Sequence, residues 1–289
     1  MMRSSTSQTL LNKTMNFDVA ILNFSKIYDQ ESFYRSDKSS HFVDLSGISG
    51  TNCMCDDEAK ENIQKAISKC GSVQQEGAVS SFLPYGLHYI DNGNFHYVSS
   101  IYLSQVKEPF SLIVLDHHPD MQRPMFDILS CGGWIVDVLD NNEFVRDVHV
   151  IGADRGLIDE LPDADKAKVR FYDIEDVFGK EPDGSIKVSL PDSSFPIYLS
   201  IDKDVIKKDE LATNWDQGEA EVEQVLELVR TLKTESIGAC SGLNEGNLRL
   251  LGIDICGECA IDQEGVDLGQ AVAENDEFNR KVLEILRDG

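Results

Sequence analysis

Positive charge is what this sequence has least of: 26 Lys and Arg stand against 51 Asp and Glu, for a formal net charge of -25. A surface of that sign repels phosphate backbones and anionic lipid headgroups, so neither nucleic acid nor a membrane is an expected partner. Long apolar runs are also missing, and no stretch of about 18 residues reads as a membrane span. No internal repeat or low-complexity linker divides the 289 residues, whose apolar content is enough for one large core. A disulfide framework is not expected either. The seven cysteines are an odd number, and no secretory leader is recognisable at the start. Cys53 and Cys55 lie too close for a zinc hook, and Cys256 and Cys259 form one Cys-x-x-Cys without a second pair. Buried free thiols in a reducing, cytoplasmic compartment are the expectation. Residues 1–15 carry Arg3, Lys13, many hydroxyls and no acid. They read as a flexible N-terminal extension, rather than a transit peptide, ahead of a single domain over 16–289.

What is present is alternation. "NFDVAILNF" (16–24) reads as a first buried strand. "GLHYIDNG", "SLIVLDHH", "DVHVIGAD", "VRFYDIED", "PIYLSIDKDV", "SIGACSGL" and "LLGIDICGE" read as further ones. Helical spacing falls between several of them. "CDDEAKENIQKAISK" has an Asp cap and Ile63, Ala66 and Ile67 on one face; "EAEVEQVLELVRTLKTE" lines up Val222, Val225, Leu226 and Val229; the C-terminal "LGQAVAENDEFNRKVLEILRD" has the same period. The turn-rich segment 180–196 reads as a surface excursion. Strands alternating with helices predict an α/β fold: a mostly parallel central sheet covered on both faces, three layers in all.

Three segments at the ends of apolar runs carry the chemistry. "DHHPD" supplies Asp116, His118 and Asp120, "SIDKD" supplies Asp202 and Asp204, and "GNFHY" places His96 at the start of a helix. Residues two apart in extended chain point the same way, so each set is expected to converge, with His117 facing away. Gathered together, the four carboxylates carry a formal charge of -4 beside two imidazoles. Such a cluster is unstable in a pocket unless its members take up protons or cations neutralise them. Oxygen-rich ligands with some imidazole suit Mn²⁺ before Zn²⁺, and six ligands exceed what one catalytic ion takes. A metal pair can lower the pKa of a shared water toward about 7 and so provide a hydroxide nucleophile. His41, His88 and His149, each alone on its segment, read as packed histidines.

These motifs resemble the arginase and ureohydrolase family, whose marks are Gly-Gly-Asp-His, Asp-Ala-His-x-Asp and Ser-x-Asp-x-Asp in that order. "LDHHPD" matches the second at all ligand positions, "SIDKD" matches the third, and "GNFHY" keeps the glycine and His96. The resemblance implies an arginase-like α/β/α domain with two Mn²⁺ ions, or Zn²⁺, Co²⁺ or Ni²⁺ in their place. It implies one ion on His96, Asp116, Asp120 and Asp202, and the other on Asp116, His118, Asp202 and Asp204. A bridging hydroxide would attack the carbon of a small guanidino or amidino substrate and release urea or a related amide plus an amine. Asp120 joins the catalytic set. Cys131 stands where the family often has a proton-shuttling histidine, and in "DICGE" Glu258 lies one residue past the family's substrate-binding acid. Gln122, Arg123, Trp215 and Asp216 are the residues expected to face the substrate. A homo-oligomer follows by analogy alone.

Two other readings stay open. A single-zinc deacetylase-like amide hydrolase shares such a fold, but Asp120 and Asp204 argue for a second ion, and no tandem His pair lies elsewhere. A metal-binding protein without turnover is the other, kept open by Cys131 and by the displaced Glu258.

Overall fold

The computed structural model describes residues 18–69, 84–241 and 249–288; the expected extension over 1–15 lies outside them. The strands are β1 (Asp18–Asn23), β2 (Ser40–Asp44), β3 (Met54–Cys55), β4 (Gly86–Tyr89), β5 (Phe110–Leu115), β6 (Leu129–Ser130), β7 (Val145–Ile151), β8 (Arg170–Tyr172), β9 (Phe178–Lys180), β10 (Ile186–Val188), β11 (Ile197–Asp202) and β12 (Leu250–Cys256). The helices are α1 (Asp57–Ile67), α2 (Val98–Leu103), α3 (Trp134–Asn141), α4 (Arg155–Asp159), α5 (Asp163–Lys166), α6 (Ile174–Val177), α7 (Val222–Ser241) and α8 (Leu268–Arg287).

Eight strands form one sheet in the order β2-β1-β4-β12-β11-β5-β7-β8, and every pairing in it is parallel. Alternate residues of a strand feed opposite faces, as the pleat requires. Leu112, Val114 and Tyr198 join the core beneath α1, α2 and α3, while Ile113, Leu115, Leu199 and Ile201 join the one beneath α7 and α8. A sheet buried on both sides explains why its strands read as continuous apolar runs. Asp56 caps α1, accepting from the Ala59 N–H at 2.8 Å, as its sequence indicates. Cys53, Cys55, Cys131, Cys256 and Cys259 are free thiols, the second, fourth and fifth of them buried. His88 and His149 are packed inside.

Two expectations need correction. "SIGACSGL" is not a strand: residues 236–241 continue α7, and 242–243 lie outside the described residues. Only Gly238 in that hexapeptide is a poor helix former, and an established helix propagates at little cost. The strand read from "VRFYDIED" stops at Tyr172. Asp176 reaches back to the Asp173 N–H at 3.0 Å, and this reciprocal cap starts α6 instead. The 180–196 excursion contributes β10 to an antiparallel ribbon with β9.

Candidate metal centre

β4, β12, β11 and β5 are neighbours at the middle of the sheet, and their carboxyl ends open toward one cleft. This is where parallel α/β sheets place their sites, because side chains there are held by strands while the loops diverge. Asp116 follows the last residue of β5, Asp202 ends β11, and Asp204 lies in the 3-10 turn Lys203–Val205. His96 follows the 3-10 turn Gly93–Phe95 and precedes α2. The predicted residues do meet, though not by extended-chain alternation. Asp120 has φ 46°, a left-handed conformation that Asp tolerates better than most residues, and this folds it back toward Asp116. Backbone donors hold the rest: the His118 N–H donates to Asp116 Oδ1 at 2.7 Å, the His117 N–H to Asp204 Oδ1 at 3.0 Å, and the Asp204 N–H to Asp202 Oδ1 at 3.0 Å.

Around His96 Nδ1 stand three carboxylate oxygens: Asp116 Oδ2 at 3.2 Å, Asp120 Oδ2 at 3.2 Å and Asp202 Oδ2 at 3.3 Å. Nδ1 and Asp116 Oδ2 are both sealed from solvent, and neither has a hydrogen bond. Spacings of this size are those between neighbouring ligands of an ion with bonds of roughly 2.0–2.2 Å. A second group holds His118 Nδ1, 2.9 Å from Asp204 Oδ2 and 3.6 Å from Asp116 Oδ1. Asp116 belongs to both groups, His96–Asp116–Asp120 and Asp116–His118–Asp204. The donor set and its two orphaned, mutually facing atoms fit a pair of hard to borderline dications.

Protonation points the same way. Burial disfavours a charged His118, but contacts with Asp116 and Asp204 outweigh it and push its pKa up to about 12. His96 is likewise raised well above the usual imidazole range, against its burial, by Asp116, Asp120 and Asp202. Burial and the neighbouring Asp116 push Asp120 up to about 7. Burial, Asp202 and Asp116 raise Asp204 well above the carboxylate range. Asp116 is the exception: although buried, it is held well below that range by His118 and His96. Without cations, then, protons held on both imidazoles and on Asp204 offset part of the cluster's charge.

The cleft above these carboxylates and imidazoles has a volume of about 620 Å³ and is lined by Gln122, Arg123, Cys131, Trp215 and the apolar Leu157 and Leu161, among others. Gln122 is exposed at its rim. Arg123 lines the cleft with its guanidinium already engaged by two acids. Its Nε and one terminal nitrogen grip Asp165 at 2.9 and 2.5 Å, and the other terminal nitrogen meets Asp140 at 2.5 Å. Asp216 accepts from His118 Nε2 at 3.0 Å, so when the ring gives up one proton to a cation, Nδ1 is the nitrogen left with a lone pair toward Asp204 and Asp116. Trp215 stands edge-on to His118, with its indole N–H on Asn94 at 3.0 Å. His117 lies outside both ligand groups, as expected. Cys131 lines the cleft, but burial, Asp120 and Cys53 push its thiol up to about 12. Glu258 is not in the cleft at all: it is fully buried and paired with Lys203 at 2.6 Å. The one-residue displacement turns it to the far side of the sheet end.

Three residues at the centre escaped the sequence reading. Ser200 Oγ meets His96 Nε2 at 2.9 Å and so sets which nitrogen faces the carboxylates. Its position two residues before Asp202, on the same face of β11, was the available signal. The Trp134 indole donates to Asp120 Oδ2 at 2.7 Å, and nothing in "SCGGWI" announces that contact. Lys203 was passed over as the residue between Asp202 and Asp204.

The sequence pattern of the arginase family matches residues 20–238. An uncharacterized protein of Thermotoga maritima is 28% identical over 240 residues, 83% of this chain and 79% of that one. Among solved structures, formimidoylglutamase from Bacillus subtilis is similar with a TM-score of 0.57 at 12% identity, covering 94% of this chain and 87% of that one. Proclavaminate amidino hydrolase from Streptomyces clavuligerus gives 0.56 at 15%, covering 94% and 92%. A triple mutant of a T. brucei arginase-like protein, bound with Mn²⁺, gives 0.53 at 14%, covering 93% and 90%. At such identities these likenesses concern the fold.

Proposed function

The chain belongs to the arginase family, and from that premise we propose that it is a binuclear-metal hydrolase of a small linear amidino or guanidino compound, releasing urea or a related amide and an amine. The observation that carries this reading is the sharing of Asp116, one buried carboxylate common to both candidate ligand groups. His96, Asp116, Asp120 and Asp202 would hold one ion, and Asp116, His118, Asp202 and Asp204 the other, with Mn²⁺ the best match to the donor set. When bound, such a pair supplies a water acidified toward about pKa 7 and a Lewis acid for the reacting group. The protein's own side chains do the positioning. Ser200 and Asp216 fix the two imidazoles, Trp134 fixes Asp120, and Leu157, Leu161 and Trp215 wall the cleft for an aliphatic chain and exclude water.

The test is elemental analysis of the purified protein, together with urea, amide and ammonia release from a panel of amidino and guanidino compounds. Two ions per chain with turnover is the expected result. Two ions and no turnover across the panel would leave the non-catalytic reading, and one tightly held ion would favour the deacetylase-like one.

Loading must expel the protons held on His96, His118 and Asp204, so affinity is expected to rise with pH. Between about pH 6 and about pH 8, each proton released contributes on the order of tenfold per unit. Equilibrium Mn²⁺ titrations at the two ends check this, and a pH-independent affinity would contradict the assignment of both imidazoles.

A second expectation concerns Cys131. A positioned general acid or base contributes about 10²–10⁴ in rate, whereas a thiol held protonated at neutral pH has little to offer as a shuttle. Cys131→Ala is therefore expected to change kcat by less than about tenfold, at unchanged metal content. A drop of about a hundredfold would restore the thiol to the chemistry.

A further inference from the structure

The site uses Asp202 and Asp204 but not the lysine between them, and that lysine is 0% exposed. Its ammonium reaches the α8 layer, meeting Asn275 Oδ1 at 2.5 Å and Glu258 Oε1 at 2.6 Å and lying 5.9 Å from the centre of the Phe278 ring. Glu258, also 0% exposed, accepts from Asn279 Nδ2 at 2.8 Å, and the same amide donates to Glu31 at 3.0 Å. Burial and the adjacent Glu258 raise Glu31 well above the carboxylate range. Lys203 and Glu258 form the ion pair at the centre of this buried group. The backbone before Glu258 is pressed against the ligand turn. Gly257 has φ 96°, and a Cβ there would lie 2.3 Å from Asp202 Oδ1 and 2.7 Å from the Lys203 nitrogen. The Gly257 and Glu258 N–H groups both donate to the Asp91 carbonyl, at 3.1 and 3.2 Å, so this strand end is itself fixed.

A buried ion pair is a poor source of stability, because removing two charges from water offsets most of their attraction. Its strength is directional: it ties one atom of the turn to one point on the frame formed by the end of β12 and by α8. We propose that Lys203 and Glu258 are positioning residues for the metal centre, holding the Lys203–Val205 turn so that Asp202 and Asp204 face His96 and His118. The inference rests on reading those two aspartates as ligands.

The test compares Mn²⁺ dissociation constants with thermal unfolding for the wild type, the double variant Lys203→Met/Glu258→Leu, and Glu258→Asp. Replacing both charges by apolar groups of similar volume is expected to leave the melting temperature near wild type, as it does for other buried pairs. Mn²⁺ should nevertheless bind about 10- to 100-fold more weakly, the usual loss when a group behind a metal ligand is removed. Glu258→Asp keeps both charges and shortens the reach by one methylene, so it too should weaken Mn²⁺ binding, even if the double variant fails to fold. Wild-type affinity in any folded one of these variants would overturn the proposal and leave the function reading standing. A wild-type protein that takes up no Mn²⁺ would overturn both.

Discussion

Asp116→Asn is expected to purify with less than about a tenth of the wild-type metal and to lose at least about 10³-fold in activity, well beyond the 10–100-fold typical of an outer partner. The amide cannot reproduce both roles of the carboxylate. Its oxygen is drawn to the Oδ1 position, where the His118 N–H donates at 2.7 Å. Its NH₂ group then occupies the Oδ2 position, 3.2 Å from His96 Nδ1, presenting hydrogens where an ion needs a lone pair. The change also removes one of the charges that make dications welcome, and it does so for both ion positions at once. His117→Ala is the contrasting case. Its ring stays outside both candidate ligand groups, approaching Asp216 at 3.7 Å and standing edge-on to the His118 ring at 5.3 Å, so metal content should be unchanged. Elemental analysis of the two variants settles the comparison, and equal metal in Asp116→Asn and wild type would refute the sharing of Asp116.

Gly257→Glu is expected to be among the most damaging single changes, although it would put an acid where the resembled family has one. The φ of 96° at Gly257 belongs to the region where an L side chain costs about 1–3 kcal/mol. The contacts at 2.3 Å to Asp202 and 2.7 Å to backbone leave nowhere for a Cβ, and overpacking adds about 1–3 kcal/mol more. Stability should fall by roughly 2–6 kcal/mol, the sum of those two terms, and Mn²⁺ binding by at least about a hundredfold, because the displaced atoms belong to a ligand turn. Denaturant unfolding and Mn²⁺ titration measure the two losses. A Gly257→Glu protein with wild-type stability and metal affinity would show that the strand end can move away, and with it the rigid frame assigned to Lys203.

The polar groups at the ends of "SLIVL" and "PIYLSI" were recognisable because several carboxylates and imidazoles crowd the ends of two apolar runs, and Asp116, His118, Asp120, Asp202 and Asp204 do meet in one place. The reason offered for their meeting was only partly right. Asp202 does end a strand, but Asp116, His118 and Asp120 sit on a turn whose left-handed residue no alternation rule anticipates. Arg123 lines the cleft, as its place in the sequence suggested, but its partners there were not legible. A rim arginine looks available for a substrate until the fold brings Asp140 and Asp165 to it, and neither is near it in sequence. Glu258 was correctly seen to be out of step, but its destination was invisible. A lysine between two ligands looks exposed, and lysine is almost never fully buried without a partner that only the folded chain supplies.

The sequence alone determined the layered α/β class, the apolar strands and the identities of the groups that end them, because those follow from composition and periodicity over a few residues. The tertiary structure alone decided which of those groups stand together. β12 enters between β4 and β11, pairing Cys256 with Asp202 and setting Gly257 against the ligand turn, while Ser200 meets a histidine 104 residues away. Strand order is fixed by how whole faces pack against helices, a property of the assembled core that no short stretch of chain encodes.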